Sequence, residues 1–341
     1  MYRTPIALLR WAGALVVVTT VSASCGSNDS ADSTTASSSP AETTPTTAEP
    51  ETEAASDGAW PTTDLVLDPA ADYGDKYADG ILPVGDGRVA TDGAQKGSVY
   101  LCREGGEGGG ASERGPWFVN NDTEYDINLK IAVGGEVEWD GEYSVTVDGD
   151  ERVISTNAVP HDHTTGEFPV DPEEPAYQYD RNPNTIEEQA LDYRVSALPT
   201  MSAEPECMGG EAGVMVSGVG LFNAFDAGNR DAGAWETQDG CDGHPEQTGQ
   251  YHYHTLSSCI DDIGVSTVIG WALDGFPITG PMVGEGNVLT SDDLDECHGL
   301  TSIVDIDGES VQTYHYVMTQ DFPYSVSCFR ATPADPPGAG F

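Results

Sequence analysis

Beyond residue 24, no stretch of the chain carries a sustained apolar period of 3.6 residues. Runs of period two and short continuous apolar runs recur instead, bounded by Gly, Pro, Asn and Asp. An amphipathic helix needs the first pattern to bury one face, whereas strands need only the second. The chain is therefore expected to be mainly β: a loop-rich, disulfide-tied, β-sandwich-like single domain with little helix. Ser98 to Cys102 reads as a strand ending at a bridge. Leu191, Tyr193 and Val195 alternate with Asp192, Arg194 and Ser196; Ile127, Leu129 and Ile131 alternate with Asn128 and Lys130. Tyr143, Val145 and Val147 lead into Asp148-Gly149-Asp150, a hairpin signal. Asp148 and Asp150 are read as turn residues rather than calcium ligands, because no complete oxygen-ligand loop surrounds them. Val214 to Phe222 and Val268 to Ile278 read as two buried strands, and Ser291 to Glu296 as one capped helical turn. No repeated domain is visible.

The N-terminal segment is of another kind. Arg3 and Arg10 precede an uncharged, mostly apolar run of 13 residues, Trp11 to Ala23, too short for an ordinary membrane span. Val21-Ser22-Ala23-Ser24-Cys25 then resembles a lipoprotein processing site, with Ser22 where an aliphatic residue is usual. Residues 1–24 are thus expected to be a lipoprotein-type signal peptide, with Cys25 as lipid anchor. The protein is expected to be exported and held on the cell membrane, facing the cell surface or periplasm. Residues 26–59 have neither an aromatic nor a basic side chain and cannot bury enough apolar surface to order themselves, so 25–59 reads as an acidic Ser/Thr/Pro tether. Residues 60–96 read as an irregular arm, 97–332 as the folded domain and 333–341 as a loose tail.

Cysteine parity fits export. Setting Cys25 aside leaves Cys102, Cys207, Cys241, Cys259, Cys297 and Cys328, an even number that reads as a disulfide framework. Six cysteines allow fifteen connectivities. Proximity in sequence favours Cys241–Cys259 and Cys297–Cys328, which leaves Cys102–Cys207. The charge balance, 58 acidic against 13 basic residues, repels phosphate backbones and argues against a nucleic-acid partner. The membrane, through an N-terminal lipid, is the one partner expected; a protein partner is not specified.

Gly249-Gln250-Tyr251-His252-Tyr253-His254 stands out, with an echo at Tyr314-His315-Tyr316. Together with Ala272-Leu273-Asp274-Gly275-Phe276-Pro277, Leu294-Asp295-Glu296-Cys297-His298-Gly299, Gly220-Leu221-Phe222-Asn223 and Cys241-Asp242-Gly243-His244-Pro245, these residues resemble the YHYH domain family. That resemblance implies an exported protein and names no reaction. The echo ends in Val317, so a second histidine is absent there.

On a strand, His252 and His254 share one face and Tyr251 and Tyr253 the other. Two imidazoles about 6.5–7 Å apart along a strand can converge on one ion at about 2.0–2.1 Å per bond. Further ligands are sought in His315, His244, His163 and Asp274. Imidazole with carboxylate suits zinc, copper or iron(II) as cofactor. Asp274 and His244 are also the candidates for acid–base catalysis, with Asp226 a further carboxylate able to pair with a histidine. Ser257 and Ser258 lack a nucleophile-elbow motif. Arg230 is expected to be tied to carboxylates. Three readings stand: a metal-binding domain; a metal-dependent or acid–base hydrolase or redox enzyme; and a cell-surface interaction module with structural histidines.

Overall fold

The computed structural model describes residues 59–103 and 109–337. The leader, Cys25, residues 25–58 of the tether, part of the Gly-rich loop and the end of the C-terminal tail lie outside the described residues. Among the described residues the chain is mainly β, with 31% strand against 5% helix, in several sheets and with no closed barrel.

The largest sheet has eight strands: β1 (Glu211–Met215), β2 (Gly220–Phe222), β3 (Gly243–Pro245), β4 (Tyr251–Tyr253), β5 (Val268–Ala272), β6 (Pro277–Thr279), β7 (Gly299–Ile306) and β8 (Glu309–Val317). Their spatial order is β3-β4-β2-β1-β5-β6-β8-β7. Read from the centre, that order is a palindrome. β1 and β5 pair antiparallel, with Val214 opposite Trp271, Gly213 opposite Ala272 and Met215 opposite Gly270. On each side follow an antiparallel hairpin partner, a parallel pairing and an outer antiparallel hairpin. A pseudo-two-fold axis through the Val214–Trp271 pair therefore relates two halves of the sheet. The relation lies within one sheet and is not a repeated domain; the Tyr314-His315-Tyr316 echo is its trace in the sequence.

The correspondence extends to individual groups. Val214–Phe222 and Val268–Ile278, each expected as one strand, each fold as a hairpin. Ser217-Gly218 and Asp274-Gly275 make the turns, with glycine φ of 89° and 91°, a region only glycine enters freely. The amides of Met215 and Ala272 donate to the carbonyls of Val219 and Phe276 in turn. In the outer hairpins, Asp239 accepts from the amides of Cys241 and Gly243 (2.9 and 3.2 Å) and from the Tyr251 hydroxyl (2.8 Å). Asp295 accepts from Cys297, Gly299 and Tyr314 (3.0, 2.9 and 3.2 Å). Disulfides Cys241–Cys259 and Cys297–Cys328 close the two units, and Cys102–Cys207 is the third bridge.

Matching registers place Leu300 at the position of His244, His315 at that of His252 and Val317 at that of His254. Leu300 and Val317 are buried with Leu289 and Leu294, and Leu67 and Tyr73 of the 60–96 segment pack against them. That segment also pairs with the domain through Ile81–Pro83 against Glu124–Asp126 and through Val66 against Thr301.

A three-stranded sheet, Tyr143–Asp148, Glu151–Thr156 and Leu191–Ser196, shares the main core with the large sheet through Ile154, Leu191, Tyr193 and Val195. Its hairpin turns at Gly149-Asp150 as expected. Arg152 lies 3.7 Å over the Trp271 ring and bridges to Asp307 (2.8 Å). Ile127 to Leu129, expected in a strand, form a turn instead. Asp126 accepts from the Asn128 amide there, and Leu129 is exposed. The local side-chain hydrogen bond prevails over the alternation.

His315 is wholly buried, hydrogen-bonded at Nδ1 to Thr279 (2.8 Å) and at Nε2 to Ser302 (2.8 Å). Burial lowers its pKa from 6.5 to about 3. Below pH 6.5 the unfolded chain takes up the proton and the folded one resists it, so this stabilisation is full above pH 6.5 and lost towards pH 3. His315→Gln is expected to be less stable than wild type at pH 7, with the gap narrowing by about 2 kcal/mol by pH 5. Denaturant melts at the two pH values check this; a constant gap would overturn it.

Candidate metal centre

Three of the histidines meet at the β3–β4 edge of the large sheet. His244 on β3 stands directly opposite His252 on β4, and His254 follows two residues on along the same face. The ring centroids lie 4.6 Å (His244–His252), 4.9 Å (His252–His254) and 5.3 Å (His244–His254) apart. One nitrogen from each ring falls within 4.8 Å of the others. All three side chains are buried. Phe222 of β2 stacks on His252 with ring centres 4.0 Å apart, covering one side of the group.

Backbone carbonyls fix the proton positions of two rings. His252 Nδ1–H donates to Gln250 O (3.1 Å), and His254 Nδ1–H donates to Asn223 O (2.5 Å). A neutral imidazole has one N–H, so each Nε2 is left with a lone pair. These two atoms face each other at 3.1 Å. Protonating either ring would relieve the repulsion, but burial opposes it, lowering the His254 pKa to about 4 and that of His252 well below its usual value, with His254 adding to the shift. His244 is shifted the same way, by burial and then by the other two rings, and neither of its nitrogens has a hydrogen-bond partner.

A fourth group, absent from the sequence expectations, adjoins two of the three histidines. Glu236 Oε2 lies 3.5 Å from both His244 Nε2 and His254 Nε2, is buried, and has no hydrogen-bond partner. It ends the single helical turn Ala232–Trp235, which Asp231 caps by accepting from the Ala234 amide (3.2 Å). Burial raises the Glu236 pKa well above normal, Asp180 and Asp226 add to this, and Lys130 and Arg230 oppose it. Lys130 is half-buried and donates to Gly233 O (2.5 Å) and Gln238 Oε1 (2.6 Å). A carboxylate eight residues before His244 carries no pattern of its own among 58 acidic residues, so only the fold distinguishes it.

The other expected ligands stand elsewhere. His315 is five strands from β4 in the sheet order, about 24 Å at the usual strand spacing. His163 binds the Tyr253 hydroxyl (2.9 Å) and Asp162 (2.6 Å); Tyr253 alternates to the face opposite His252, so His163 lies across the sheet. Asp274 accepts from the Tyr316 hydroxyl (2.6 Å) and from the amides of Arg330 and Ala331 (3.0 and 3.1 Å). It is an acceptor at the turn matching Ser217 and is not part of the histidine group. Arg230 is tied to Asp226 (2.5 Å), as expected, and the Asp226 charge also acts on His254, favouring its protonated form. Ser257 and Ser258 donate to the carbonyls of Cys241 and Gly240.

The cluster forms part of the wall of a pocket of ≈ 1280 Å³ that extends past Phe222, Asn223 and Asp226 to Arg103, Arg181 and Asn184. The histidine edge is therefore reachable by a small molecule. A three-histidine group with one adjacent carboxylate and an open side has the donor set of an accessible transition-metal site rather than of a closed structural one.

Residues 192–287 match the family model described as YHYH protein. The matched segment holds β1 to β6 and Glu236, His244, His252 and His254, and stops before β7 and β8. No curated protein and no solved structure matches the chain. This segment, which contains the histidine edge and its supporting hairpins, is the part of the chain that is similar to the YHYH family.

Proposed function

We propose that the domain binds one divalent transition-metal ion through His244, His252 and His254, with Glu236 as the fourth donor. The observation carrying this reading is the facing pair of Nε2 lone pairs at 3.1 Å. Nitrogens bound tetrahedrally at about 2.0–2.1 Å stand about 3.3 Å apart, close to that separation. A shared cation turns the repulsion into attraction, and the Nδ1–H bonds to Gln250 and Asn223 are the outer contacts that orient ligand imidazoles. The same cation would hold Glu236 ionised and give His244 its partner.

The second half of the sheet answers the alternative of structural histidines. The same hairpin stands there with leucine and valine at the positions of His244 and His254. The scaffold does not call for imidazole at those two places. Zinc, copper and iron(II) all suit three imidazoles and a carboxylate. When bound, such an ion supplies Lewis acidity or a lowered water pKa. The adjoining pocket favours a second, narrower reading, metal-assisted hydrolysis, in which the three histidines alone would hold the ion and Glu236, not bound to it, would take up a proton.

Export is part of the proposal. The basic and apolar leader, Cys25 and the acidic tether support a lipid-anchored protein on the outer side of the membrane, and the three disulfides suit an oxidising compartment. Cys25→Ser should release the protein from the membrane fraction of the producing cell; unchanged partitioning would overturn the anchor.

Metal analysis of untagged protein after incubation with zinc, copper or iron(II) and desalting should find about one equivalent per chain. A ligand at 100 times its Kd adds about 2.7 kcal/mol of stability, so melting temperature should rise as well. His244→Ala with His254→Ala should abolish both effects, while His161→Ala, outside the cluster, should keep them. Absence of stoichiometric metal would overturn the reading. Glu236→Gln should retain the fold and weaken binding by about 10- to 100-fold, measured by competition with a chelator; unchanged affinity would remove Glu236 from the site.

A further inference from the structure

The charges lining the same pocket carry a further step. The described residues include eleven lysines and arginines. Six of them bridge to carboxylates. Lys96 and Lys130 donate to carbonyl or amide oxygens. The remaining three are Arg88, Arg103 and Arg181, and two of these, Arg103 and Arg181, line the pocket that holds the histidine edge. In a chain with 58 acidic residues, an arginine without a carboxylate partner among the described residues is the exception.

The acidic groups that line the pocket among the described residues are engaged. Asp180 accepts from the amides of Asn182 and Thr237 (3.2 and 3.0 Å). Asp226 is held by Arg230, and Glu246 accepts from the amides of Thr248 and Gln250 (2.8 and 3.2 Å). Glu236 faces the histidines. The uncommitted charged groups among the described residues of the wall away from the histidines are thus cationic. Arg181 lies 5.5 Å from the Tyr177 ring centre, and the backbone before Arg103 is fixed at Cys102, which is bridged to Cys207.

We infer that the pocket takes a small substrate carrying one anionic oxygen group, a carboxylate or a phosphate monoester, which Arg103 and Arg181 receive while another part of the molecule reaches the histidine edge. The inference rests on the metal-centre reading of that edge. A guanidinium presents paired N–H donors in the plane that carboxylate and phosphate oxygens match. The net charge of −45 disfavours polyanions at long range and leaves compact, weakly charged molecules as the class admitted.

The test is equilibrium titration of the full metal-loaded protein with inorganic phosphate and, separately, with acetate, comparing wild type with Arg103→Gln/Arg181→Gln. Both arginines are exposed, so the double variant should keep its fold and its metal content. At least one anion should bind, with affinity about 10- to 100-fold weaker in the variant; the anion that binds names the group. Binding of neither, or equal affinity in both proteins, overturns the inference. The same titrations on chelator-treated protein separate the two readings. Arginine-dependent anion binding in a protein that takes up no metal upholds the anion site and overturns the metal centre alone.

Discussion

The antiparallel pairing of β1 with β5 is the contact through which both halves of the large sheet are joined. Val214 and Trp271 stand opposite each other at its centre, and every later strand is added outward from that pair. The close approach is allowed by Gly213 and Gly270. A side chain on Gly213 would run into the Trp271 carbonyl, and one on Gly270 into Met215. Because β1 and β5 are central and covered on both faces, they read as continuous apolar runs rather than alternating ones. Arg152, laid over Trp271 and bridged to Asp307, ties the smaller sheet to this centre.

A repeated unit separates scaffold from function without recourse to relatives. What occurs twice is what the hairpin needs: an aspartate accepting two amides and a tyrosine hydroxyl, a glycine against that tyrosine ring, and a disulfide closing the loop. What occurs once is what this half does. His244 and His254 belong to the second kind, and so does Glu236. Counting back three residues from the repeated aspartate gives Glu236 in one half and Asp292 in the other; Asp292 is exposed and pairs with Lys76. His252 and His315 mark the boundary, since the same residue at matched positions has lone pairs facing a second ring in one case and two hydroxyl partners in the other.

The sequence was informative where the physics was local. Period-two alternation located the strand at Leu191–Ser196, the Asp-Gly turn located the 143–156 hairpin, and cysteine proximity agreed with the bridges that formed. The His-x-His spacing placed His252 and His254 on one face, and His244, weighed as a further ligand, proved to be their cross-strand neighbour. The long-range parts were not legible. His315 resembled a partner because it repeats the motif, yet a repeat related by a two-fold axis carries its copy to the far side of the sheet. Glu236 was invisible because its role depends on a helical turn that brings it over the β3–β4 edge. The alternation at Ile127–Ile131 misled because Asp126 and Asn128 close a turn before a strand can form.

The cost of the histidine edge supports a role beyond stability. An unpartnered buried polar atom costs about 1–3 kcal/mol, and here both nitrogens of His244 and Oε2 of Glu236 are of that kind. The second half shows that an apolar solution exists on the same scaffold: Leu300 and Val317 pack against Leu289 and Leu294 beneath Leu67 and Tyr73. Selection for stability alone would favour that solution in both halves. One half instead keeps three imidazoles and a carboxylate desolvated and turned towards one another beside a pocket. Local rules of satisfied polarity are broken in this way at functional sites, and three imidazoles so arranged could hold a metal ion.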